Sequence, residues 1–337
     1  MTEKVHFTDE LGLKEVGELV WWTVRKPGVG PQEVKEIIDK YNLPAKLKKH
    51  TPNDIRERDA FRRATNIEIL GDIEIYNETL KYQLSTTEVN SDQEHILRKL
   101  IFKLIDKNEE TLELIKIADI RYIEDAEEKL NIDILKKEFA EDKDIKGVVN
   151  QIKRDFNYNK SVYPGNTIRA FIRDMVKELK GYKAIPRGGL YFVPASSSKE
   201  LDIIDKIIHD IDALSVSSYE AQNVLNRQKV LGDRGSETAR NIYKTHINYT
   251  LTKWEKKLKK IEDEEKMKKK LQSILDQADL MIDQVKMLEK DIGFEINHKF
   301  IEDFKEEMTR IVEDKIKGKR EDVSNAFTTL KGKLKAV

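Results

Sequence analysis

The chain has 337 residues, enough for two or three cored domains, with 37% charged against 39% hydrophobic, so much of it must be exposed charged helix rather than interior. Its 62 basic and 62 acidic side chains cancel, which excludes nucleic-acid coating by net charge alone and makes any such site local. The absence of cysteine excludes disulfides, thiolate catalysis and cysteine metal sites; with no apolar run of roughly 18 residues and no signal-peptide core in Met-Thr-Glu-Lys-Val-His, a cytoplasmic protein without a membrane partner is expected.

Residues 8–26 suggest a helix with Leu11, Val16, Leu19, Val20 and Val24 as its apolar set and Trp21-Trp22 adding bulk. Lys26-Pro-Gly-Val-Gly-Pro31 breaks it. Pro31 suits the first position of a second helix carrying Val34, Ile37, Ile38 and Tyr41, and a third follows Thr51-Pro-Asn with Ile55, Phe61 and Ala64 inward. Seven cations against three acids lie between Ala45 and Arg63, with Arg56, Arg62 and Arg63 on the exposed side of that third helix. Residues 1–66 are thus expected to be an N-terminal helical segment with a basic patch.

From Ile67 the hydrophobic period falls to two. Ile67, Ile69, Gly71, Ile73 and Ile75, then Leu80, Tyr82 and Leu84, alternate with polar residues, and His95–Ile105 with Leu112–Ile120 complete a predicted antiparallel β meander, with helix, over 67–140. Thirteen acids and seven bases over 106–143 make this middle region acidic.

Ile145, Val148, Val149, Ile152 and Phe156 mark an amphipathic helix, Tyr163-Pro-Gly165 a turn, and Ile168, Phe171, Ile172, Met175, Val176 and Leu179 a second helix stopped by Gly181. Opposite that apolar face stand Arg169, Arg173, Lys177 and Lys180. The segments 182–185 and 190–193 flank Pro186-Arg-Gly-Gly189, a hairpin signal with Lys183 near its base and Arg187 at its tip. Helix, turn, basic helix and hairpin predict a winged-helix-like centre over 141–218, in which the row would face phosphates and base edges and Arg187 the adjacent backbone or minor groove.

Ser197-x-x-Glu200 reads as a capping box before Ile203, Ile204, Ile207, Ile208 and Ile211. From Ser236 the chain reads as helix to its end. Tyr243, Ile247, Leu251, Trp254, Leu258 and Ile261 form one stripe; Leu271, Ile274, Ala278, Met281, Val285, Leu288 and Ile292 alternate three and four apart, three heptads of coiled-coil seam. Gly293 breaks the helix, and Phe300, Phe304, Met308, Ile311, Val312, Val323, Phe327, Leu330 and Leu334 continue the apolar pattern. The expected fold is therefore α+β and mostly α, ending in a long helical coiled-coil arm over 236–337 that would join copies into a homo-oligomer, the alternative being an intramolecular hairpin in which Phe300, Phe304, Met308 and Ile311 fold back across Gly293.

Arg187-Gly-Gly-Leu-Tyr-Phe-Val-Pro194 and Asp59-Ala-Phe-Arg-Arg-Ala64 resemble a group of uncharacterised proteins carried by phages and other mobile elements. The resemblance would span most of the chain and implies a phage-related context, with no activity to carry over.

No catalytic signature stands out. Asp202, Asp205, His209 and Asp212 share one helical face, but no ligand from a second element is identifiable, and the six histidines make no zinc motif, so no metal and no cofactor is expected. The run Lys253–Lys270, nine cations against five acids, is read as the exposed part of a coiled helix. The residues thus favour a non-enzymatic protein that binds double-stranded DNA through Arg169, Arg173, Lys177, Lys180, Lys183 and Arg187, with Arg56, Arg62 and Arg63 as a second patch. The competing expectation is a protein-binding modulator of a host or defence complex that uses the helical arm and no nucleic acid.

Overall fold

The computed structural model describes residues 13–25, 27–75, 78–106, 109–214, 223–260 and 264–292, with 305–306 and 309–310. In chain order the elements are β1 (Glu15–Thr23), α1 (Pro31–Lys40), α2 (Ala45–Lys48), α3 (Glu57–Ala64), β2 (Glu68–Ile75), β3 (Glu78–Ser91), β4 (His95–Ile105), β5 (Thr111–Ile123), β6 (Leu130–Ile134), α4 (Lys137–Glu141) and α5 (Lys143–Ser161). There follow α6 (Gly165–Glu178), β7 (Tyr182–Lys183), β8 (Tyr191–Pro194), α7 (Ser198–Ala213), β9 (Val224–Leu231), α8 (Gly232–Lys259) and α9 (Glu264–Ile292). They divide into an inserted unit, residues 27–35 and 52–164, and a discontinuous unit, residues 1–26, 36–51 and 165–337.

In the inserted unit, the period-two stretches form a five-stranded antiparallel sheet in simple order β2-β3-β4-β5-β6. Bulges between Glu88 and Asn90, and beside Leu100/Ile101 and Leu104/Ile105, add local twist, and the sheet curls into a half-barrel. One end of its inner face is closed by α3 and α5. There Phe61, Tyr122 and Phe156 meet with ring centroids 5.5–6.5 Å apart, over Leu84, Ile96, Leu100, Ile117 and Ile120. At the other end Tyr82 stacks on Phe102 at 5.6 Å and lies over Gly71, where a Cβ would fall 2.6 Å from the Tyr82 ring.

The discontinuous unit is built on a four-stranded antiparallel sheet in order β7-β8-β1-β9. Leu19 and Val16 face α8 and α9, whereas Glu18, next along β1, faces α7. Close approach of β8 requires Gly17, since a Cβ there would sit 2.4 Å from the Val193 carbonyl oxygen. Tyr182 and Tyr243, both fully buried, anchor the core, the Tyr243 hydroxyl donating to Met281 O at 2.9 Å.

Several expectations are corrected by these observations, and the α+β chain is neither mostly α nor a winged helix with a coiled-coil arm. Residues 15–23 are a strand, not a helix, because Val16, Val20 and Thr23 are β-branched and two strands, β8 and β9, are present to pair with them. The winged-helix-like centre does not exist as a body: α5 belongs to the inserted unit and α6 to the discontinuous one. Its supposed wing is no free hairpin, since β7 is two residues long and the far edge of β8 bonds to β1 from Gly17 to Val20. The heptad seam forms no arm. Ile274, Ala278, Met281 and Val285 close within the chain on Tyr243, Ile247, Leu251 and Trp254 of α8 and on Tyr182 and Phe192 of the sheet, which buries the stripe and seam together. Ser197 does not cap α7; its hydroxyl donates to Leu179 O at 3.1 Å. The sequence expectations for Leu11, Ile261, Met308, residues 293–304 and 311–337, and the side chains of Leu288 and Ile292, lie outside what the structure describes.

Candidate nucleic-acid interface

The predicted basic row is present along α6, with Lys180 just beyond its end, but each of its four cations is engaged within the chain, three of them by carboxylates. Arg173 Nε and Lys177 Nζ share the Asp174 carboxylate at 3.0 and 3.1 Å, and their charges outweigh its burial to hold that carboxyl below its ordinary range. Arg169 donates to Val24 O at 2.6 Å, and Lys180 to Asp283 of α9 at 3.1 Å. Lys183 and Arg187 have no carboxylate in ion-pair reach among the described residues, and Arg187 is exposed. The other patch is similarly occupied: Arg56 pairs with Asp59, Arg62 reaches Glu88 and Ser91, and Arg63 donates to Asn159 O at 2.7 Å. Burial lowers the Arg63 guanidinium from its ordinary value. Arg56, Arg62 and Arg63 belong to the inserted unit and the other six to the discontinuous one, so the nine do not form one site within a unit.

The aspartates considered for metal binding are likewise spent on structure. Arg227 of β9 donates to the buried Glu18 carboxylate with Nε and Nη2, at 2.7 and 2.6 Å, and reaches Asp202 of α7 with Nη1. Ser198 completes the shell of Glu18 at 2.9 Å. Asp212 accepts the Asn223 backbone N–H at 2.6 Å, and among the described residues no group of three metal-ligating side chains occurs. The Arg227 guanidinium thus ties β1, β9 and α7 together as a paired, hydrogen-bonded charge.

A different set of cations has no such partners. The helical hairpin of α8 and α9 is antiparallel, with Trp254 Nε1 donating to Gln277 Oε1 at 3.0 Å, and its lysine-rich ends meet near residue 260. On α8, Lys253, Lys256, Lys257 and Lys260 are exposed; on α9, Lys270 is half-buried. None of the five has a carboxylate within ion-pair distance among the described residues, whereas Lys269 pairs with Glu265 at 2.8 Å. Lys257 and Lys270 lie close enough that the Lys270 charge, first, and slight burial, second, push the Lys257 ammonium below its ordinary value. Local sequence explains the crowding. At i−4 and i+3 from Lys257 stand Lys253 and Lys260, so helical neighbours repel instead of pairing. Sequence reasoning passed over this run because charge counting alone does not reveal whether its acids face its bases.

The units carry opposite charge. Residues of the inserted unit include 20 bases and 26 acids, those of the discontinuous unit 42 and 36. The lysine-rich hairpin end is thus in the net basic unit.

No helix of the described residues is long and apolar enough to cross a membrane. No curated protein and no solved structure matches the chain. Residues 15–335 match a protein family of unknown function, DUF6744, and the chain belongs to that family.

Proposed function

We propose that the protein binds double-stranded DNA without catalysing a reaction on it, and that it does so through the lysine-rich end of the α8–α9 hairpin rather than through the α6 row. What supports the reading is the proximity of Lys257 and Lys270, two like charges with no carboxylate in ion-pair reach among the described residues, which a phosphate would relieve. Lysines act as point charges with no bidentate fork, so contacts of this kind hold the phosphate backbone and give little sequence preference. Lys183 and Arg187 supply further cations of the same unit that have no ion pair among the described residues. A phage or mobile-element setting, suggested by the segments 187–194 and 59–64, suits such a role.

The test is a salt titration of binding to a random-sequence duplex. Five phosphate contacts give a log–log slope of about −4.5. Replacing Lys256, Lys257, Lys260 and Lys270 together by Gln should flatten it to about −1, while Arg169→Ala with Arg173→Ala leaves it near the parent value. Absence of binding at low salt, or a slope that follows the α6 pair instead, would overturn the assignment.

A further inference from the structure

The inserted unit ends on one side in a strand edge that no other strand of the described residues pairs. β2 is terminal in its sheet and pairs only with β3. The Thr86 N–H bonds to Ile67 O at 3.1 Å, which fixes the phase of the ladder: Ile67, Ile69, Gly71 and Ile73 turn their backbone groups towards β3. The N–H and C=O groups of Glu68, Leu70 and Asp72 therefore point away from the sheet. An edge of this kind is a template for another strand unless it is blocked.

Its side chains say which strand would fit. On the inner face Ile69 and Ile73 are 38% and 37% exposed, beyond the cover given by α3 and α5. On the outer face stand the exposed acids Glu68 and Asp72, with Leu70 70% exposed between them. Glu68 accepts from Gln83 Nε2 at 2.7 Å, a neutral donor that leaves its charge in place. A second copy is a poor match. Two β2 strands paired about Leu70 would set Glu68 directly against Asp72 on both sides of the axis, and like charges directly opposite are destabilising. The same two carboxylates favour a strand bearing cations at every second or fourth position.

We propose that the open edge of β2 takes up an extended basic peptide segment of a partner protein as a sixth strand, its lysines or arginines facing Glu68 and Asp72 and its alternate apolar side chains meeting Ile69 and Ile73. Main-chain bonds to Glu68, Leu70 and Asp72 supply affinity, and the two faces supply the pattern read. This is independent of DNA binding, which lies in the other unit.

The experiment uses the full chain and a fluorescent peptide, KIKVKIK, followed by anisotropy, with EIEVEIE and KGKGKGK as controls. Binding of KIKVKIK alone is expected. Asp72→Pro removes one outward N–H without touching the bonds made by Gly71 and Ile73, and should weaken binding at least about tenfold. Glu68→Lys with Asp72→Asn, two exposed changes that place no cation opposite Lys81 of β3, should transfer preference to EIEVEIE. The proposal is overturned if neither peptide binds up to about 1 mM, if KGKGKGK binds as well as KIKVKIK, or if the charge reversal leaves the preference unchanged. A dimer of the chain that Asp72→Pro dissolves would also overturn it, in favour of a second copy.

Discussion

Two sets of lysines and arginines, on α6 and at the α8–α9 hairpin end, look alike when counted along the chain and differ once acids are placed. On α6, Asp174 lies between Arg173 and Lys177 and within reach of both, and Lys180 meets Asp283 from α9. At the hairpin end the positions three and four residues from Lys257 are cationic or apolar, and Lys270 faces it. A basic row is therefore a surface for anions only where its own fold has not already answered it. The same contrast holds on a larger scale, since the balanced total of 62 and 62 is the sum of one acidic unit and one basic one.

The sharpest way to break the comparison is to separate the two helices. Ala278 is fully buried where α9 meets α8, so Ala278→Asp places a carboxylate among Tyr243, Ile247 and Leu251 and should cost about 4 kcal/mol. Thermal unfolding should show a large downward shift in the transition of the discontinuous unit. DNA binding should fall with it, because Lys257 and Lys270 are then no longer held together.

A smaller effect comes from His246 on α8. Its ring lies 5.7 Å from that of Tyr182, its Nδ1 is buried without a partner, and burial, with Lys183 second, lowers its pKa to about 4. The unfolded chain takes up the proton near pH 6.5 and the folded chain near 4, so stability is complete above 6.5 and declines as pH falls towards 4. The loss is at most about 3 kcal/mol. Chemical denaturation at pH 7.0 and 5.0 should show the decline, and His246→Gln should remove most of it. The Asp174, Glu178 and Asp210 carboxyls, held low by their cationic or hydrogen-bonding partners, contribute their own loss only below the carboxylate range.

The smallest effect sharpens the comparison most directly. Lys257→Gln removes one member of a repelling set and should raise stability by about 0.3 kcal/mol in low salt and by less in high salt. Lys177→Gln, which deletes a paired cation, should have the opposite sign in the same thermal assay.

Much of the inserted unit was readable because its order is local. Alternation beginning at Ile67 becomes β2 and β3, and Phe61 with Ala64 turns inward on α3 as its helical spacing implies. The discontinuous unit hid its sheet. β1 pairs with β9 in the register Leu19 to Gln228, and no pattern within either stretch names a partner two hundred residues away. Val16, Leu19 and Val20 fit a helix as well as a bulged strand, so the period alone could not decide. The hairpin of residues 182–194 was read correctly as a turn between two extended segments and misread as a wing, since the strand that flanks it comes from the other end of the unit. The apolar spacing that predicted a coiled-coil seam from Leu271 instead buries Ile274, Ala278, Met281 and Val285 within the chain, because such a stripe specifies an apolar neighbour, not which chain supplies it. As for the sites, the Glu265–Lys269 pair and the run of Lys253, Lys257 and Lys260 follow from local helical spacing, whereas the approach of Lys270 to Lys257 depends on how two helices meet, and that is written nowhere in either run.

The position of β1 has a consequence for how the chain is made. β1 leaves the ribosome first of all the strands, yet its neighbours β8 and β9 end at residues 194 and 231. At typical synthesis rates the interval from Thr23 to Leu231 lasts about 10–40 s, and an apolar strand with Trp21-Trp22 must wait through it unpaired. Within that interval the whole inserted unit emerges, and its sheet needs only nearest-neighbour hairpins, the kind of contact that closes fastest. Synthesis order therefore sets a folding order, in which the inserted meander is complete before the sheet that encloses it in sequence can begin to close.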